Sequence, residues 1–182
     1  MEYSCLRGEG KMKRAVAFVH DLYEELELWV PVMRLKEAGI TAVVAGVQEG
    51  KAHLGKHGYP CVPDCAISKI RAEEFDIAII PGGYAPDKLR REKHLLAVLQ
   101  EMDAKKKTIA FICHGGWVPI SAKILKGRKV TGAVAIKDDL ENAGAHFLDQ
   151  EVVVDGHLIS SRSPADLPAF CKAILAVAAI RN

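Results

Sequence analysis

Thr108-Ile109-Ala110-Phe111-Ile112-Cys113-His114-Gly115-Gly116-Trp117 reads as an apolar strand that stops at a cysteine. A short apolar run bounded by a glycine pair has the pattern of a buried strand. A thiol at its carboxyl end, just before a helix, sits where backbone N–H groups and the positive helix end favour thiolate over thiol. Gly115 and Gly116 carry no Cβ to obstruct a tight turn or an approaching carbonyl. The backbone N–H of His114 is then placed as an oxyanion donor, as at a nucleophile elbow. Phe111 leaves only half of the usual Gly-x-nucleophile-x-Gly spacing. The competing reading of Cys113 is a buried structural cysteine.

Working outward, Ala15 to Val19 and Phe75 to Ile80 are two more buried parallel strands, and Thr41 to Val47 is a third strand-like run. Between them Leu26, Trp29, Val30 and Met33 recur at helical spacing, giving an amphipathic helix to about Ala38 that Gly39 stops. Asp21 and Glu24 have the spacing of a capping box at its start. A second helix is expected from Pro86 or Asp87 to Lys106 and a third over Val118 to Lys126. Val130 to Ile136 reads as a strand. Glu151 to Val154 and His157 to Ser160 flank Asp155-Gly156 as a hairpin. Ser163 and Pro164 open the last helix.

Strands alternating with helices imply right-handed crossovers and a mostly parallel sheet covered on both faces. Ligands in such sheets sit beyond the carboxyl ends of the strands. Three loops therefore converge: His20 to Glu24, Pro81 to Asp87, and Cys113 to Trp117. They bring a carboxylate, a double glycine and a thiol to one place.

At 182 residues, 49% of them hydrophobic and 26% charged, the chain suits one ordinary globular domain. A net charge of +2 offers no bulk field for nucleic acid, and Lys105-Lys106-Lys107 is read as a solvated helix end. Five cysteines in no regular spacing argue against a disulfide framework and for a reducing, cytoplasmic setting. Cys61 and Cys65 lack a second ligand pair, and histidines 20, 53, 57, 94, 146 and 157 show no metal spacing, so no metal or other cofactor is expected. No apolar stretch approaches membrane-spanning length, and the N-terminus lacks a signal-peptide core. Residues 1 to 12 are read as a disordered extension and 13 to 182 as a single domain.

With those motifs in place, the sequence resembles the PfpI family of the ThiJ/PfpI superfamily, intracellular cysteine peptidases and deglycases. The resemblance rests on Tyr23-Glu24-Glu25-Leu26-Glu27, Arg34-Leu35-Lys36-Glu37-Ala38-Gly39, Gly55-Lys56-His57-Gly58, Pro81-Gly82-Gly83-Tyr84-Ala85-Pro86-Asp87, Ile112-Cys113-His114-Gly115, Lys137-Asp138-Asp139 with Asn142-Ala143-Gly144, and Ser161-Arg162-Ser163-Pro164-Ala165-Asp166-Leu167. It implies a flavodoxin-like three-layer α/β sandwich, related to class I glutamine amidotransferases, that assembles as a homodimer or hexamer. By it Cys113 is the nucleophile, Glu24 the carboxylate beside it and His114 the other catalytic side chain. Asp87 stands where the family has an acid that orients the histidine of an adjacent subunit, and an ordinary helix-start acid is the competing reading. Gly83 and His114 would supply oxyanion N–H groups, Gly82 the turn, and Tyr84 and Trp117 the mouth of the pocket. Glu27 is read as a surface or structural acid.

The implied substrates are a peptide, a glycated protein or a small carbonyl compound. A metal-free glyoxalase, or a redox-sensing or chaperone stress protein, is the alternative. The chain departs from the family at Gly116-Trp117, where Pro-Gln is common, at Ala133, where some peptidases carry tyrosine, and at Phe111, which replaces a small residue.

Overall fold

The computed structural model describes residues 12 to 180, so the expectation for residues 1 to 11 lies outside it. In chain order its elements are β1 (Arg14–Phe18), α1 (Glu25–Glu37), β2 (Thr41–Gly46), β3 (His53–Leu54), β4 (Pro60–Cys61), β5 (Cys65–Ala66), β6 (Ile77–Ile80), α2 (Ala85–Leu89), α3 (Lys93–Ala104), β7 (Thr108–Ile112), α4 (Trp117–Ser121), β8 (Lys129–Val130), α5 (Lys137–Asn142), β9 (His146–Phe147), β10 (Val152–Asp155), β11 (Leu158–Ser161) and α6 (Leu167–Ile180). A seven-stranded sheet runs β10-β11-β7-β6-β1-β2-β5. All its pairings are parallel except the β10–β11 hairpin. Every residue of β6 and β7 is buried, as expected of strands covered on both faces.

The strand order fixes where a ligand can sit. From β1 the chain steps to β2 on one side, and from β6 it steps to β7 on the other. Right-handed crossovers therefore place α1 and α3 on opposite faces. α1 packs with α6, whereas α3 packs on β7 and, with α2, against α4. This is the flavodoxin-like sandwich the sequence implies. The reversal between β1 and β6 opens a crevice at their carboxyl ends, and the segments following β1, β6 and β7 meet there.

Four sequence expectations are revised. The apolar stripe of α1 is out of phase with the one read from the sequence. Leu28, Pro31, Val32 and Leu35 face the core, while Leu26 and Met33 are exposed. α1 starts at Glu25, and its cap is Glu24, whose carboxylate accepts the N–H of Glu27 at 2.8 Å; Asp21 instead bonds His53. The long helix after Pro86 is broken between Leu89 and Lys93. Leu89 and Leu95 are both fully buried, yet six residues apart on a continuous helix they would point about 120° away from each other. The break lets both reach the core. Lastly, of the strand expected over Val130 to Ile136 only Val130 is strand, paired with Lys129 in β8, and Val134–Ile136 forms a helical turn. Ala133 donates its N–H to the Cys113 carbonyl at 3.3 Å, which draws this segment away from a ladder and onto the elbow.

Candidate active site

Cys113 is the first residue after β7 and takes a left-handed backbone, φ 59°. For a residue with a Cβ that conformation is strained by about 1–3 kcal/mol. The reason it can persist is visible in the turn that follows. A Cβ on Gly115 would lie 2.5 Å from the Ile80 carbonyl oxygen, so only glycine lets the chain fold back tightly against the end of β6. Phe111 lies beneath the elbow, fully buried.

The carboxyl group that meets this sulfur belongs to Glu27. Glu27 lies on the buried side of α1 and is fully buried. Its Oε2 accepts the Gly82 N–H at 2.7 Å, its Oε1 has no nitrogen or oxygen partner, and Cys113 interacts with the same carboxyl group. Gly82 does more than turn the chain. A Cβ there would stand 2.6 Å from Glu27 Oε2 and 2.7 Å from Cys113 Cβ. Burial, reinforced by the charge of Glu24, pushes the Glu27 carboxyl up to about 8, so at neutral pH it is mostly a carboxylic acid. Glu24 itself lines the cleft but spends one oxygen on the helix cap. The expected partnership of Glu24 with the sulfur is therefore replaced by that of Glu27.

The thiol is also unlike the thiolate expected from its position. Burial, then the charge of Glu27, pushes Cys113 up to about 12. The backbone N–H groups of His114 and Gly83 pull the other way without prevailing. Both expected oxyanion donors thus address the sulfur. Cys113 Sγ lies 3.2 Å from His114 Nδ1, so the adjacent imidazole does reach its neighbour. Burial, then Lys56, lowers the His114 pKa below 6.5, which leaves Nδ1 able to take a proton at neutral pH.

Trp117 stacks edge-on against the His114 ring, with centroids 5.2 Å apart, and donates its Nε1–H to Asp139 at 2.8 Å. It fixes the imidazole rather than lining the mouth. Tyr84 is 64% exposed at the rim of a cleft of 340 Å³ bounded by Glu24, Glu27, Lys56, Cys113 and His114. Lys56 reaches this cleft because Glu25 clasps the next residue: its Oε1 accepts the His57 N–H at 2.6 Å and its Oε2 lies 3.0 Å from His57 Nδ1. A second cavity of 690 Å³, bounded by Ala133, Val134, Lys137, Phe147 and Arg162, also reaches Cys113. Asp87 is exposed and pairs with Arg91 at 3.0 Å; among the described residues it makes no hydrogen bond to His114.

The family model described as DJ-1/PfpI matches residues 13–177. The chain belongs to the DJ-1/PfpI family. Among its relatives in the family, the deglycase of Thermococcus kodakarensis is 46% identical over 84% of this chain and 91% of its own length. Deglycase PfpI of Pyrococcus furiosus is 41% identical over 82% of this chain and 90% of its own. Among solved structures, a two-domain protein of Anabaena variabilis with DJ-1/ThiJ/PfpI-like and ferritin-like domains superposes with a TM-score of 0.88 at 40% identity. The match covers 90% of this chain and 47% of that one, so the chain spans about half of the two-domain protein.

Proposed function

We propose that this DJ-1/PfpI protein is a cysteine-dependent hydrolase of the deglycase type, acting on the adduct of a 2-oxoaldehyde with an amine. The observation that carries the reading is the convergence on one sulfur of His114 Nδ1 at 3.2 Å, the N–H groups of Gly83 and His114, and the protonated carboxyl of Glu27. The names of the relatives supply the substrate class. A 340 Å³ cleft suits a small adduct better than a folded protein chain.

The sulfur attacks the former aldehyde carbon, the thiol proton passes through His114 to the departing amine, and a hemithioacetal forms on Cys113. His114 then moves the carbon-bound proton to the neighbouring carbon, while the Glu27 acid and the Gly83 and His114 N–H groups hold the enediolate oxygen. The resulting thioester is hydrolysed by water to a 2-hydroxy acid and free thiol. The same steps on the aldehyde alone would give glyoxalase activity.

Self-association also belongs to this reading. Leu26, Trp29, Met33 and Tyr59 border an apolar groove beside the cleft, and exposed aromatic and apolar residues grouped in this way mark contact surfaces. A partner docked there could bring its Asp87 to His114. A cytoplasmic setting accords with Cys61, Cys65, Cys113 and Cys171 all being unpaired; no described helix is long and apolar enough to cross a membrane.

The test compares wild type and Cys113→Ala on a methylglyoxal-treated peptide, on free methylglyoxal and on a fluorogenic peptide. Release of 2-hydroxy acid and free amine by the wild type alone is expected. Turnover retained by Cys113→Ala would dispose of the mechanism.

A further inference from the structure

The fold gathers a second group of donors at the same end of the sheet, and nothing in the proposed chemistry uses it. His20 and Asp21 follow β1, and His53 opens β3, thirty-odd residues on. One ligand atom from each lies within 4.8 Å of the other two. Asp21 stands between the imidazoles: its Oδ1 is 2.9 Å from His53 Nδ1 and its Oδ2 is 3.8 Å from His20 Nδ1. The edge of a tetrahedral zinc site is about 3.3 Å for donors about 2.0–2.1 Å from the ion, so small side-chain rotations would bring one donor atom of each residue onto it.

An ion would replace hydrogen bonds that the cluster now makes, displacing the proton that His53 Nδ1 shares with Asp21. His20 Nδ1 accepts the Asp21 amide N–H at 2.7 Å, so that nitrogen is unprotonated, and an ion would take its lone pair in place of that N–H. His53 is 2% exposed, and its Nε2 is buried with no partner. The imidazole therefore has its one polar anchor in this cluster, an arrangement that is costly unless the cluster does something for it.

We propose that His20, Asp21 and His53 form a binding site for a divalent transition-metal ion of borderline softness, zinc being the probe. Two imidazoles and one carboxylate are a donor set that such ions take with a fourth position left to water. The ion would tie the segment after β1 to the β3–β4 hairpin. Leu22, the next residue, already donates its N–H to the Leu54 carbonyl at 2.7 Å and accepts the Tyr84 N–H at 2.8 Å. The site is thus continuous with the backbone that positions Gly83, one residue before Tyr84. Two cations oppose the ion: Lys88 Nζ lies 3.9 Å from Asp21 Oδ2, and Arg91 adds a weaker repulsion at His20. Occupation requires Lys88, which is 42% exposed, to swing aside.

The experiment is calorimetric titration of the full, metal-stripped protein with zinc chloride, alongside Asp21→Asn, His20→Ala, Lys88→Gln, His57→Ala and Cys113→Ala, each checked for native circular dichroism. One zinc per chain is expected. Its affinity should fall at least about 100-fold in Asp21→Asn and His20→Ala, going beyond the loss typical of an outer-shell change. It should rise in Lys88→Gln and stay within about threefold of the parent in His57→Ala and Cys113→Ala. Asp21→Asn is nearly isosteric and half exposed, so it remains informative if the histidine variant unfolds. Absence of stoichiometric zinc, parent-like affinity in Asp21→Asn, or loss confined to His57→Ala or Cys113→Ala would each overturn the site.

Discussion

Replacing Glu27 with glutamine should make the folded protein less sensitive to rising pH. In the native state the Glu27 carboxyl holds its proton to about pH 8, whereas in an unfolded chain it titrates near 4.5. Below 4.5 both states are protonated and the burial of a neutral acid costs the fold nothing extra. Between the two values the unfolded chain has released a proton that the native state keeps, so stability falls as pH rises, by about 1.4 kcal/mol per pH unit. Across the interval that amounts to roughly 5 kcal/mol, large against a typical total of about 5–15 kcal/mol. Above about 8 both states are ionised and the loss is complete. Glutamine keeps a carbonyl oxygen for the Gly82 N–H but has no proton to lose. Urea unfolding of both proteins at pH 5, 6, 7 and 8, at one protein concentration, isolates the effect as the difference between two slopes. Wild type should lose stability steadily relative to the variant. Parallel pH dependences would refute the claim that Glu27 is buried and neutral beside Cys113.

Three further outcomes follow from the same geometry. The rate of 2-hydroxy acid release should rise with pH as His114 loses its proton below 6.5 and decline above about 8 as Glu27 ionises; Glu27→Gln should lose the upper limb and about 10²–10⁴-fold in rate. Gly82→Ala drives a methyl group to 2.6 Å from Glu27 Oε2 and should cost about 1–3 kcal/mol in chemical denaturation, together with most of the activity. If an oligomer completes the site, inactive Asp87→Ala and Cys113→Ala subunits, unfolded and refolded together, should recover up to about a quarter of wild-type activity; no recovery, or a fully active Asp87→Ala protein, would remove Asp87 from the site.

The parts of the fold legible in the sequence were those where one residue type excludes alternatives. Ile77 to Ile80 and Thr108 to Ile112 are apolar enough to be strands covered on both sides, and glycine pairs follow each almost at once. Helix α1 was legible as a helix but not in its rotation, because it carries two apolar stripes. Leu26, Trp29, Val30 and Met33 form one; Leu28, Pro31, Val32 and Leu35 form the other, and tertiary packing chose the second. That choice also hid Glu27. Positions 27, 31 and 35 recur at four-residue spacing on the buried stripe, so an acid there is a charge among core residues, whose environment was to be explained rather than assigned to solvent. Glu24 drew attention instead by its capping position, and capping is what its carboxylate does. The meeting of His20 and Asp21 with His53 left no trace in spacing because only the β3–β4 hairpin brings them together.

The arrangement around Cys113 also accounts for a tension between its position and its resting state. The end of a strand, two inward N–H groups and a neighbouring imidazole all favour negative charge on sulfur, yet burial and Glu27 keep the proton on. These features conflict only if the thiolate is taken to be the resting form. If charge instead develops during attack, the N–H groups of Gly83 and His114 and the Glu27 acid are already oriented toward it, and no solvent must reorganise. A buried carboxylic acid is then more useful than a carboxylate, since it can donate a hydrogen bond to an oxyanion that a carboxylate would repel. The strained φ of Cys113, the absence of a Cβ at Gly82 and the placement of Glu27 on the core side of α1 all serve one requirement: acid, thiol and imidazole must be within reach while all three are neutral.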